Sequence, residues 1–561
     1  MTSKRPEAGK TYDVAIIGSG LTGSMLGATL ARGGASVLIV DDRIHPRGAS
    51  GESTTPRSLV ALRVIAERYG VPEIKSLTTF DNCSRIIGTS IGIKKHFGFL
   101  LHHEGRDQDP RETNQSTNGP LSDAPHLYRQ HTDAYIFHAA VKYGCDARQG
   151  VRIESVEIDE SGVTINGLNA PFFKEACTYR ARCVVDTRGR KSPVAAAVEV
   201  AEEPARFKHH SRSQWTHMAG VRKTDDVFTS SDARHKPPVP WHEGTVHHVF
   251  EGGWIWVIPF NNHPRSRSPL CSVGLTLDPR HHPKEEGVSP QEEFQRVIAR
   301  FPDIARQFDK ATAVREWEVA DEAQYSRSRV VGDRWYLIGE SAGYVDPLFS
   351  RELSDSAEVV NALAWRLKRA IKDDDFSAER FEYVERLQQG LLDFDDALVS
   401  AAFASFGDYD LWNAVFRIWA WGSGAGTFRM QDALTKFGSD HKDDHFTELE
   451  NVPYPGFCWP DHDGYKKLFE EMVARCEAFA RGTVGGDEAA NDLNELLRKA
   501  DFVPHHLGFV EPDERFLHPT PRKIMKSMRW AAGNADPELK RLLAGNVRQA
   551  ISARLRGRRI F

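Results

Sequence analysis

Residues 12–23 read YDVAIIGSGLTG, an apolar run of strand length followed at once by a G-x-G-x-x-G motif. Each glycine of such a motif has a physical task. Gly18 allows the tight turn, Gly20 lets a pyrophosphate approach the backbone, and Gly23 lets the following helix pack closely against the strand. The stretch therefore predicts a strand, a phosphate-binding turn and a helix, which is how a Rossmann-like α/β domain begins.

The residues that follow complete a βαβ unit. Leu21 and Thr22 stand where the helix begins, and a helix N-terminus offers unpaired N–H groups to phosphate. A second β-branched run, residues 36–40, ends at Asp41, whose carboxylate can accept a hydrogen bond from a ribose hydroxyl. We therefore expect a dinucleotide to bind at this turn; an accidental glycine-rich turn is the alternative.

The composition is that of an ordinary globular protein of two or three structural units. The 561 residues are 40% hydrophobic, and 73 basic against 78 acidic residues give a net charge of −5, so nothing indicates a nucleic-acid partner. The seven cysteines form no C-x-x-C pair, which argues against a disulfide framework or a zinc site. We see no targeting segment and no apolar run of about 18 residues, and therefore expect a soluble, cytoplasmic protein without a metal or a membrane span.

Two further motifs follow predicted strands. Residues 183–190 read CVVDTRGR, in which Asp186 and Gly189 belong to a D-x-x-G-R pattern about 165 residues after the first glycine cluster. Residues 335–350 read WYLIGESAGYVDPLFS, a strand, a small-residue turn and the approach to a helix over residues 354–372. Such a turn and helix N-terminus suit a ribityl chain and the edge of a flavin. Its candidate contacts are Gly339, Glu340, Gly343, Asp346 and Pro347.

The remaining chain supplies fewer signals. Residues 80–103 alternate as strands do, and residues 104–124 are polar and predict an exposed or mobile loop, which we interpret as a lid. From about residue 376 the pattern is mainly helical, and the Gly-rich residues 422–426 predict a loop or a helix break. The basic residues Arg554, Arg556, Arg558 and Arg559 suit an acidic partner or, more simply, a solvated helix end.

Residues 254–259 read WIWVIP and match the W-x-W-x-I-P signature of flavin-dependent halogenases in every fixed position. With the three motifs above, the chain over about residues 10–375 resembles that family, within the FAD enzymes built like p-hydroxybenzoate hydroxylase. The resemblance implies an α/β (α+β) fold. It places the FAD part at about residues 8–60, 125–200 and 325–375, an inserted β-rich substrate part at 61–124 and 201–324, and a helical region at 376–561.

The resemblance also implies the chemistry. Reduced FAD from a separate flavin reductase reacts with O2 to give a C4a-hydroperoxide, halide attacks its distal oxygen, and hypohalous acid halogenates an electron-rich aromatic substrate in secondary metabolism such as antibiotic biosynthesis. Trp254 and Trp256 would form a stiff wall that keeps the substrate away from the flavin. The simpler alternative for these two residues is a buried strand with two core tryptophans.

A lysine on the substrate side of the wall carries the halogen in that family. Lys94 fits this position best, and Lys95 is the alternative; both would otherwise be surface lysines on a strand edge. A desolvated ammonium can hydrogen-bond hypohalous acid or, if its pKa falls, become a haloamine. The resemblance further assigns Ser53, Thr54 and Arg129 to the cofactor site.

The chain departs from the family pattern at two places. Glu340 stands where flavin enzymes usually have Asp, and Arg351 and Glu352 stand where the family has a small residue and a Gly whose N–H groups hold the halide beside Ser350. Either Arg351 and Glu352 pair with each other and leave the backbone free, or halide binding is weakened.

Other readings stay open at this point. An FAD-dependent aromatic hydroxylase, a geranylgeranyl-reductase-like enzyme and a non-catalytic FAD-binding protein would share the three FAD motifs. The sequence also leaves open which aromatic compound is used, whether it is free or tethered to a carrier protein, and whether the halide is chloride or bromide.

Overall fold

The first glycine motif joins a buried strand to a buried helix in the computed structural model, which describes residues 10–118, 123–169, 174–203 and 206–543. Strand β1 (Thr11–Ile17) runs into helix α1 (Leu21–Arg32) and then into strand β2 (Val37–Asp41), which lies parallel to β1. Gly18 has a φ of +105°, and a Cβ on Gly23 would lie 2.1 Å from the Gly18 carbonyl oxygen. Only glycine fits either position, so the predicted βαβ unit and the tasks of these two glycines are confirmed.

The other elements follow in chain order. The further strands are β3 (Gly92–Lys94), β4 (His96–Leu101), β5 (Thr113–Thr117), β6 (Ala124–His126), β7 (Asp146–Gln149), β8 (Val151–Asp159), β9 (Gly162–Asn169), β10 (Ala176–Asp186), β11 (Arg212–Ala219), β12 (Thr245–Phe250), β13 (Gly253–Pro259), β14 (Leu270–Leu277), β15 (Thr312–Ala313), β16 (Glu318–Ala320), β17 (Tyr325–Ser326), β18 (Val331–Gly332), β19 (Trp335–Leu337), β20 (Gly343–Tyr344) and β21 (Phe516–Leu517). The further helices are α2 (Pro56–Tyr69), α3 (Pro72–Lys75), α4 (Phe80–Ile86), α5 (Arg129–Lys142), α6 (Pro193–Ala197), α7 (Thr224–Val227), α8 (Pro290–Ala299), α9 (Pro302–Gln307), α10 (Glu352–Asp373), α11 (Glu382–Ser405), α12 (Tyr409–Asp440), α13 (Asp444–Thr447), α14 (Asp463–Ala480), α15 (Gly486–Lys499) and α16 (Pro521–Asn534).

The first sheet brings the three predicted FAD motifs to one edge. Its strand order is β18-β19-β10-β1-β2-β7, with β9 paired to β10 and β8 paired to β9. Strands β1, β10 and β19 are parallel, and their last residues Ile17, Asp186 and Leu337 lie side by side. Because ligands of such sheets bind outside the carboxyl ends of the strands, the turns after these three residues can share one ligand.

The second sheet contains the tryptophan motif. Its order is β15-β11-β14-β13-β12-β4-β5-β21, with β16 paired to β11. In register, Phe99 of β4 lies beside His247 of β12, which lies beside Trp256 of β13 and then Gly274 of β14. Because alternate residues of a strand share a face, this register puts the aromatic residues of three strands on one surface.

Two local predictions within this region are wrong. Residues 80–86 form helix α4 rather than strand, and the predicted lid contains the buried strand β5. The polar residues of β5 misled the prediction because their partners lie far away in the chain. The Asn114 amide donates to Asn413 at 2.9 Å, and the Gln115 amide donates to the Val239 carbonyl at 2.9 Å.

The helical region covers the aromatic face of the second sheet. Trp419 of α12 lies 5.4 Å from Phe97, and Trp412 lies 4.9 Å from Phe99, between ring centroids. Strand β21, from the same region, pairs with β5 and so extends the sheet itself. The C-terminal region is therefore mainly helical, as predicted, and it closes one side of the sheet.

The prediction of a loop or break at residues 422–426 is wrong, because α12 is continuous from Tyr409 to Asp440. The glycines serve packing instead. A Cβ on Gly422 would lie 1.9 Å from the Tyr465 hydroxyl, and one on Gly426 would lie 2.0 Å from the Cys458 carbonyl oxygen. These distances are too short for any side chain, so the two glycines let neighbouring segments approach the helix closely.

Within the described ranges every helix is too short or too polar to cross a membrane. All seven cysteines are free, and all but Cys177 are buried. The basic residues Arg554, Arg556, Arg558 and Arg559 lie outside the described residues.

Candidate flavin and halogenation site

A cavity of about 1010 Å³ runs from the glycine motif to the tryptophan strand. Its volume is at the upper end for small-molecule sites. The predicted site residues in its wall are Gly18, Gly20, Leu21, Thr22, Asp41, Ser53, Arg129, Gly189, Trp254, Trp256, Gly339, Glu340, Gly343, Asp346, Pro347, Ser350 and Glu352. Gly23, Thr54, Asp186, Arg351, Lys94 and Lys95 lie outside the wall.

The end of the cavity near α1 fits a pyrophosphate. The N-cap residue of α1 is Gly20, and no side chain caps the first N–H groups of the helix. The nearest group to a Cβ placed on Gly20 is the Arg47 guanidinium at 3.9 Å, so the backbone there is open to a ligand. Unpaired N–H groups and a nearby guanidinium are the groups that bind phosphate, and this end therefore suits the diphosphate of FAD.

Asp41 is already hydrogen-bonded within the protein. Its two oxygens accept from the Arg47 guanidinium at 2.7 Å each, and one also accepts from the Ser19 backbone N–H at 2.6 Å. Burial raises the pKa of Asp41, but Arg47 and the backbone N–H groups outweigh it and hold the pKa well below its ordinary value. Asp41 is therefore ionised, and a ribose hydroxyl must share its oxygens with Arg47.

Asp186 holds two turns together. The carboxylate is fully buried and accepts from the Ser341 hydroxyl at 2.9 Å, the Ser192 hydroxyl at 2.6 Å and the Arg188 N–H at 2.8 Å. The Ser341 hydroxyl also accepts from the Gly189 N–H at 2.9 Å. Asp186 thus positions the second and third FAD motifs from behind the cavity wall.

The predicted halide residues lie where α10 begins. Ser350 adopts the left-handed region, with a φ of +49°, so the turn forms without the Gly of the family pattern. Arg351 pairs with Asp395 and with Asp355 at 3.2 Å, so the first of the two alternatives, a pairing of Arg351 with Glu352, is wrong. Arg351 is therefore already paired with acidic side chains of α10 and α11.

Glu352 is partly buried in the cavity wall, and its Oε1 has no hydrogen-bond partner. Burial, reinforced by the carboxylates of Asp395, Glu340 and Asp346, raises the pKa of Glu352 to about 8. At neutral pH the side chain is consequently the neutral acid. It adds no negative charge beside Ser350, which removes the electrostatic objection to a halide at this place.

The tryptophan motif forms the opposite wall. The Trp254 and Trp256 rings lie 5.4 Å apart, between centroids. The Trp256 indole donates to the Ser272 hydroxyl at 3.2 Å, and a Cβ on Gly274 would lie 2.0 Å from the Trp256 ring. The absence of a side chain at Gly274 therefore provides the space that the Trp256 indole occupies.

The geometry separates the two candidate lysines. Lys95 is about one-third exposed and pairs with Glu243 at 2.6 Å. Lys94 is 1% exposed, and its Nζ donates to the Ser53 hydroxyl at 2.6 Å and lies 4.2 Å from the Phe97 ring centroid. Burial lowers the pKa of Lys94 well below its ordinary value. These features favour Lys94 as the reactive lysine.

The Ser53 hydroxyl is also part of a longer hydrogen-bond chain. It lies 2.9 Å from the Thr245 hydroxyl, which lies 3.0 Å from His126 Nε2, and His126 Nδ1 lies 3.1 Å from the Pro259 carbonyl oxygen. Sequence reasoning missed Thr245 and His126. No sequence signal marked them, because the three segments meet only in the folded chain.

His247 is a second residue that sequence reasoning missed. Its ring stacks on Phe97 and Phe99 at centroid distances of 4.5 and 4.6 Å, and it lines the cavity. Nδ1 donates to the Gly98 carbonyl at 2.9 Å, and burial lowers the pKa of His247 well below its ordinary value. His247 therefore presents a neutral imidazole to the cavity.

This fold and cavity define a flavoprotein whose cavity is lined by the three glycine-containing turns and by Trp254 and Trp256, with the buried Lys94 hydrogen-bonded to Ser53 of the lining. The family described as FAD binding domain matches residues 11–384. The chain is 47% identical to the tetracycline 7-halogenase of Kitasatospora aureofaciens, with 97% of each chain covered. It is 42% identical to the monodechloroaminopyrrolnitrin halogenase PrnC of Pseudomonas fluorescens, with 96% of each covered.

A solved structure of halogenase PltM in complex with phloroglucinol and FAD superposes with a TM-score of 0.85 at 32% identity, covering 91% of this chain and all of that one. The chain belongs to the flavin-dependent halogenases, enzymes that use FAD, O2 and halide. Membership of this family confirms the resemblance carried by residues 254–259 and disfavours the hydroxylase, reductase and non-catalytic readings.

Proposed function

We propose that this halogenase transfers halogen through Lys94 to an electron-rich aromatic compound. The observation that carries the proposal is the burial of the Lys94 ammonium beside Phe97 and Ser53 without a paired carboxylate among the described residues. Burial disfavours the charged form of such an amine and shields it from water, as a halogen carrier requires.

Reduced FAD bound along the glycine motifs supplies, with O2 and halide, hypohalous acid at the flavin end of the cavity. The protein's own residues do the rest. The first N–H groups of α10, beside Ser350 and a neutral Glu352, hold the halide. Trp254 and Trp256 exclude the organic substrate from the flavin, and the apolar wall keeps water from consuming the oxidant.

The side chains around Lys94 are aromatic. Phe97, whose ring centroid lies 4.2 Å from the Lys94 Nζ, and Phe99 pack directly against Trp419 and Trp412 of α12, so a substrate ring would bind beside this buried cluster and not within it. The tetracycline and pyrrolnitrin-type relatives and the phloroglucinol complex are consistent with a ring that carries hydroxyl or amino groups. We therefore propose a phenol or an arylamine as the substrate class.

We propose that this compound is free rather than tethered to a carrier protein. The relatives named as pyrrolyl-carrier halogenases are 25% and 21% identical and match 67% of this chain. The two relatives named for free compounds match almost all of it, including the helices that cover the aromatic face. Tethered halogenation would appear as activity on an aryl thioester of a carrier domain and none on the free acid or phenol.

We also propose that reduced FAD comes from a separate flavin reductase. The other glycine-rich stretch, residues 422–426, lies within α12 and forms no nucleotide-binding turn. The division into an FAD part, a substrate part and a helical region, with the boundaries given above, remains part of the proposal, as does a cytoplasmic location.

A pair of adjacent lysines provides the test. Chemically reduced FAD, O2 and bromide are mixed with enzyme and phloroglucinol, and brominated product and flavin absorbance are followed together. We expect Lys94→Met to lose product by at least about 1,000-fold, because the halogen carrier is gone, while the effect of bromide on flavin reoxidation persists. Lys95→Met is the matched control and should stay close to the parent. Product formation by Lys94→Met at the parental rate would refute the assignment.

A further inference from the structure

We infer that Ser53, Thr245 and His126 form a proton relay that lets Lys94 change between its ammonium and amine forms inside the buried site. The inference rests on the proposed function, since it concerns how Lys94 becomes able to take halogen. It assigns a role to two residues, Thr245 and His126, that lie outside the three FAD motifs and the tryptophan motif.

The hydrogen bonds that link Lys94, Ser53, Thr245 and His126 can be oriented in one direction only. A carbonyl accepts but cannot donate, so the contact with Pro259 places the imidazole hydrogen of His126 on Nδ1. Nε2 is then an acceptor and receives the Thr245 hydroxyl hydrogen, whose oxygen receives the Ser53 hydroxyl hydrogen. The Ser53 oxygen in turn accepts from Lys94. Every hydrogen therefore points from Lys94 toward His126, which is the arrangement needed to pass a proton that way.

The four side chains are 0 to 6% exposed. The other titratable groups that act on Lys94 or His126 are histidines, namely His96 of β4, His247 of β12, and His242 in the turn before β12. The nearby carboxylate of Glu52 accepts from His217 at 2.9 Å, and no carboxylate in the described ranges forms an ion pair with Lys94. Burial lowers the pKa of both Lys94 and His126 well below their ordinary values. Burial, and the repulsion of His126 by a charged Lys94, therefore disfavour a positive charge at both ends of the relay at once.

One hydrogen moves along each of the three hydrogen bonds between Lys94 and His126, and the positive charge passes from Lys94 to His126 without displacing a heavy atom. The Lys94 ammonium becomes an amine and His126 becomes an imidazolium. The amine nitrogen then bonds to the halogen of hypohalous acid, the halogen–oxygen bond breaks, and the departing hydroxide takes a proton from nitrogen to leave as water. No oxidant beyond hypohalous acid is consumed.

The reverse movement completes the cycle. His126 returns its proton through the chain to the haloamine nitrogen, which makes the halogen more electrophilic. The halogen passes to the ring carbon, nitrogen keeps the electron pair of the nitrogen–halogen bond, and the ring proton ends on nitrogen to regenerate the ammonium. His126 is also anchored to Pro259, the last residue of the W-x-W-x-I-P motif, so the wall fixes the far end of the relay.

The experiment uses two threonines of the same sheet. Thr245→Val removes the middle hydroxyl of the relay at nearly constant volume. Thr276→Val is the control, because Thr276 is equally buried on β14 and its hydroxyl has no hydrogen-bond partner. Each full-length enzyme is loaded with reduced FAD and mixed with O2, bromide and resorcinol. Monochlorodimedone is added to trap hypobromous acid that escapes.

We expect the effect of bromide on flavin reoxidation to be the same in all three proteins. In Thr245→Val, bromoresorcinol should fall by about 100-fold and trapped oxidant should rise, because Lys94 no longer loses its proton through the chain. The residual product should shift to higher pH, since the ammonium must then be deprotonated by solvent. Thr276→Val should match the parent in yield, in trapped oxidant and in pH profile.

His126→Asn provides a second variant, because an Asn amide can keep the bond to the Pro259 carbonyl while it removes the proton acceptor Nε2. Parental yield, trapping and pH profile in both Thr245→Val and His126→Asn would overturn the relay, and the bromide effect in the parent would leave the proposed function standing. A parent enzyme whose flavin reoxidation ignores bromide would overturn the proposed function, and the relay with it.

Discussion

Replacing Glu352 with Gln should make the protein more stable at alkaline pH and leave its stability at acidic pH nearly unchanged. The Glu352 carboxyl is partly buried with an unpartnered oxygen, and its pKa rises from an ordinary 4.5 to about 8 because of burial. Below pH 4.5 the group is protonated in the folded and unfolded chains alike, so it costs nothing there. Between pH 4.5 and 8 only the unfolded chain ionises, and stability is lost as pH rises through this window.

The size of the effect follows from the shift. About 3.5 pH units at about 1.4 kcal/mol per unit give an upper limit of about 5 kcal/mol. Water in the cavity solvates part of the side chain, so we expect about 2 to 3 kcal/mol at pH 8.5, which is several degrees in the unfolding temperature. Gln keeps the shape and cannot ionise, so the difference between Glu352→Gln and the parent should grow steadily from pH 5.5 to 8.5.

Thermal unfolding of the FAD-free proteins, followed by circular dichroism at half-unit pH steps, measures this difference. Glu471→Gln on the exposed side of α14 serves as the control and should show no such growth. A Glu352→Gln curve that runs parallel to the parental curve over the whole range would refute the argument that this carboxyl is neutral in the folded protein.

Three further predictions concern the cavity wall and α12. At pH values above 8, the bromide concentration that gives half of the maximal effect on flavin reoxidation should increase in the parent, because Glu352 ionises, and should stay constant in Glu352→Gln. An equal increase in both proteins would place the halide elsewhere. Gly274→Ala should cost about 1 to 3 kcal/mol in urea unfolding and increase the escape of hypobromous acid, since its Cβ would lie 2.0 Å from the Trp256 ring. Gly424→Ala should stabilise α12 by about 0.5 to 1 kcal/mol, because nothing lies within 4 Å of its Cβ, whereas Gly426→Ala should destabilise it. Equal effects of these two alanines would contradict the packing role of Gly426.

Local signals in the sequence were sufficient to predict the strands and turns of the first sheet and the strand that carries Trp254 and Trp256. The glycine motif, the D-x-x-G-R strand end and the turn after β19 each combine a strand with a defined turn, and the parallel register then brings them to one edge. The W-x-W-x-I-P segment is equally local. Its two indoles alternate along β13 and therefore share a face, whatever the surrounding chain does.

The errors arose where distant segments decide the structure. The polar strand β5 is buried because its amides find partners on α12 and near Val239. Arg351 pairs with Asp395 of α11 rather than with its neighbour Glu352. The relay connects Lys94 with residues 53, 245 and 126, and their spacing along the sequence does not predict that they are in contact. Sequence patterns report local geometry well, whereas hydrogen bonds between far segments need the fold.

The composition of the cavity wall bears on how long such a catalyst lasts. Hypohalous acid oxidises sulfur readily, and oxidised cysteine or methionine changes the packing around it. Among the described residues that line the cavity there is neither a cysteine nor a methionine. The protein's thiols are placed elsewhere, mostly in its interior. The described cavity lining is thus free of the oxidant's preferred side targets. Oxidative damage during turnover should therefore appear first on Trp254 and Trp256, and peptide mapping of spent enzyme by mass spectrometry would reveal it as added oxygen or halogen on that peptide.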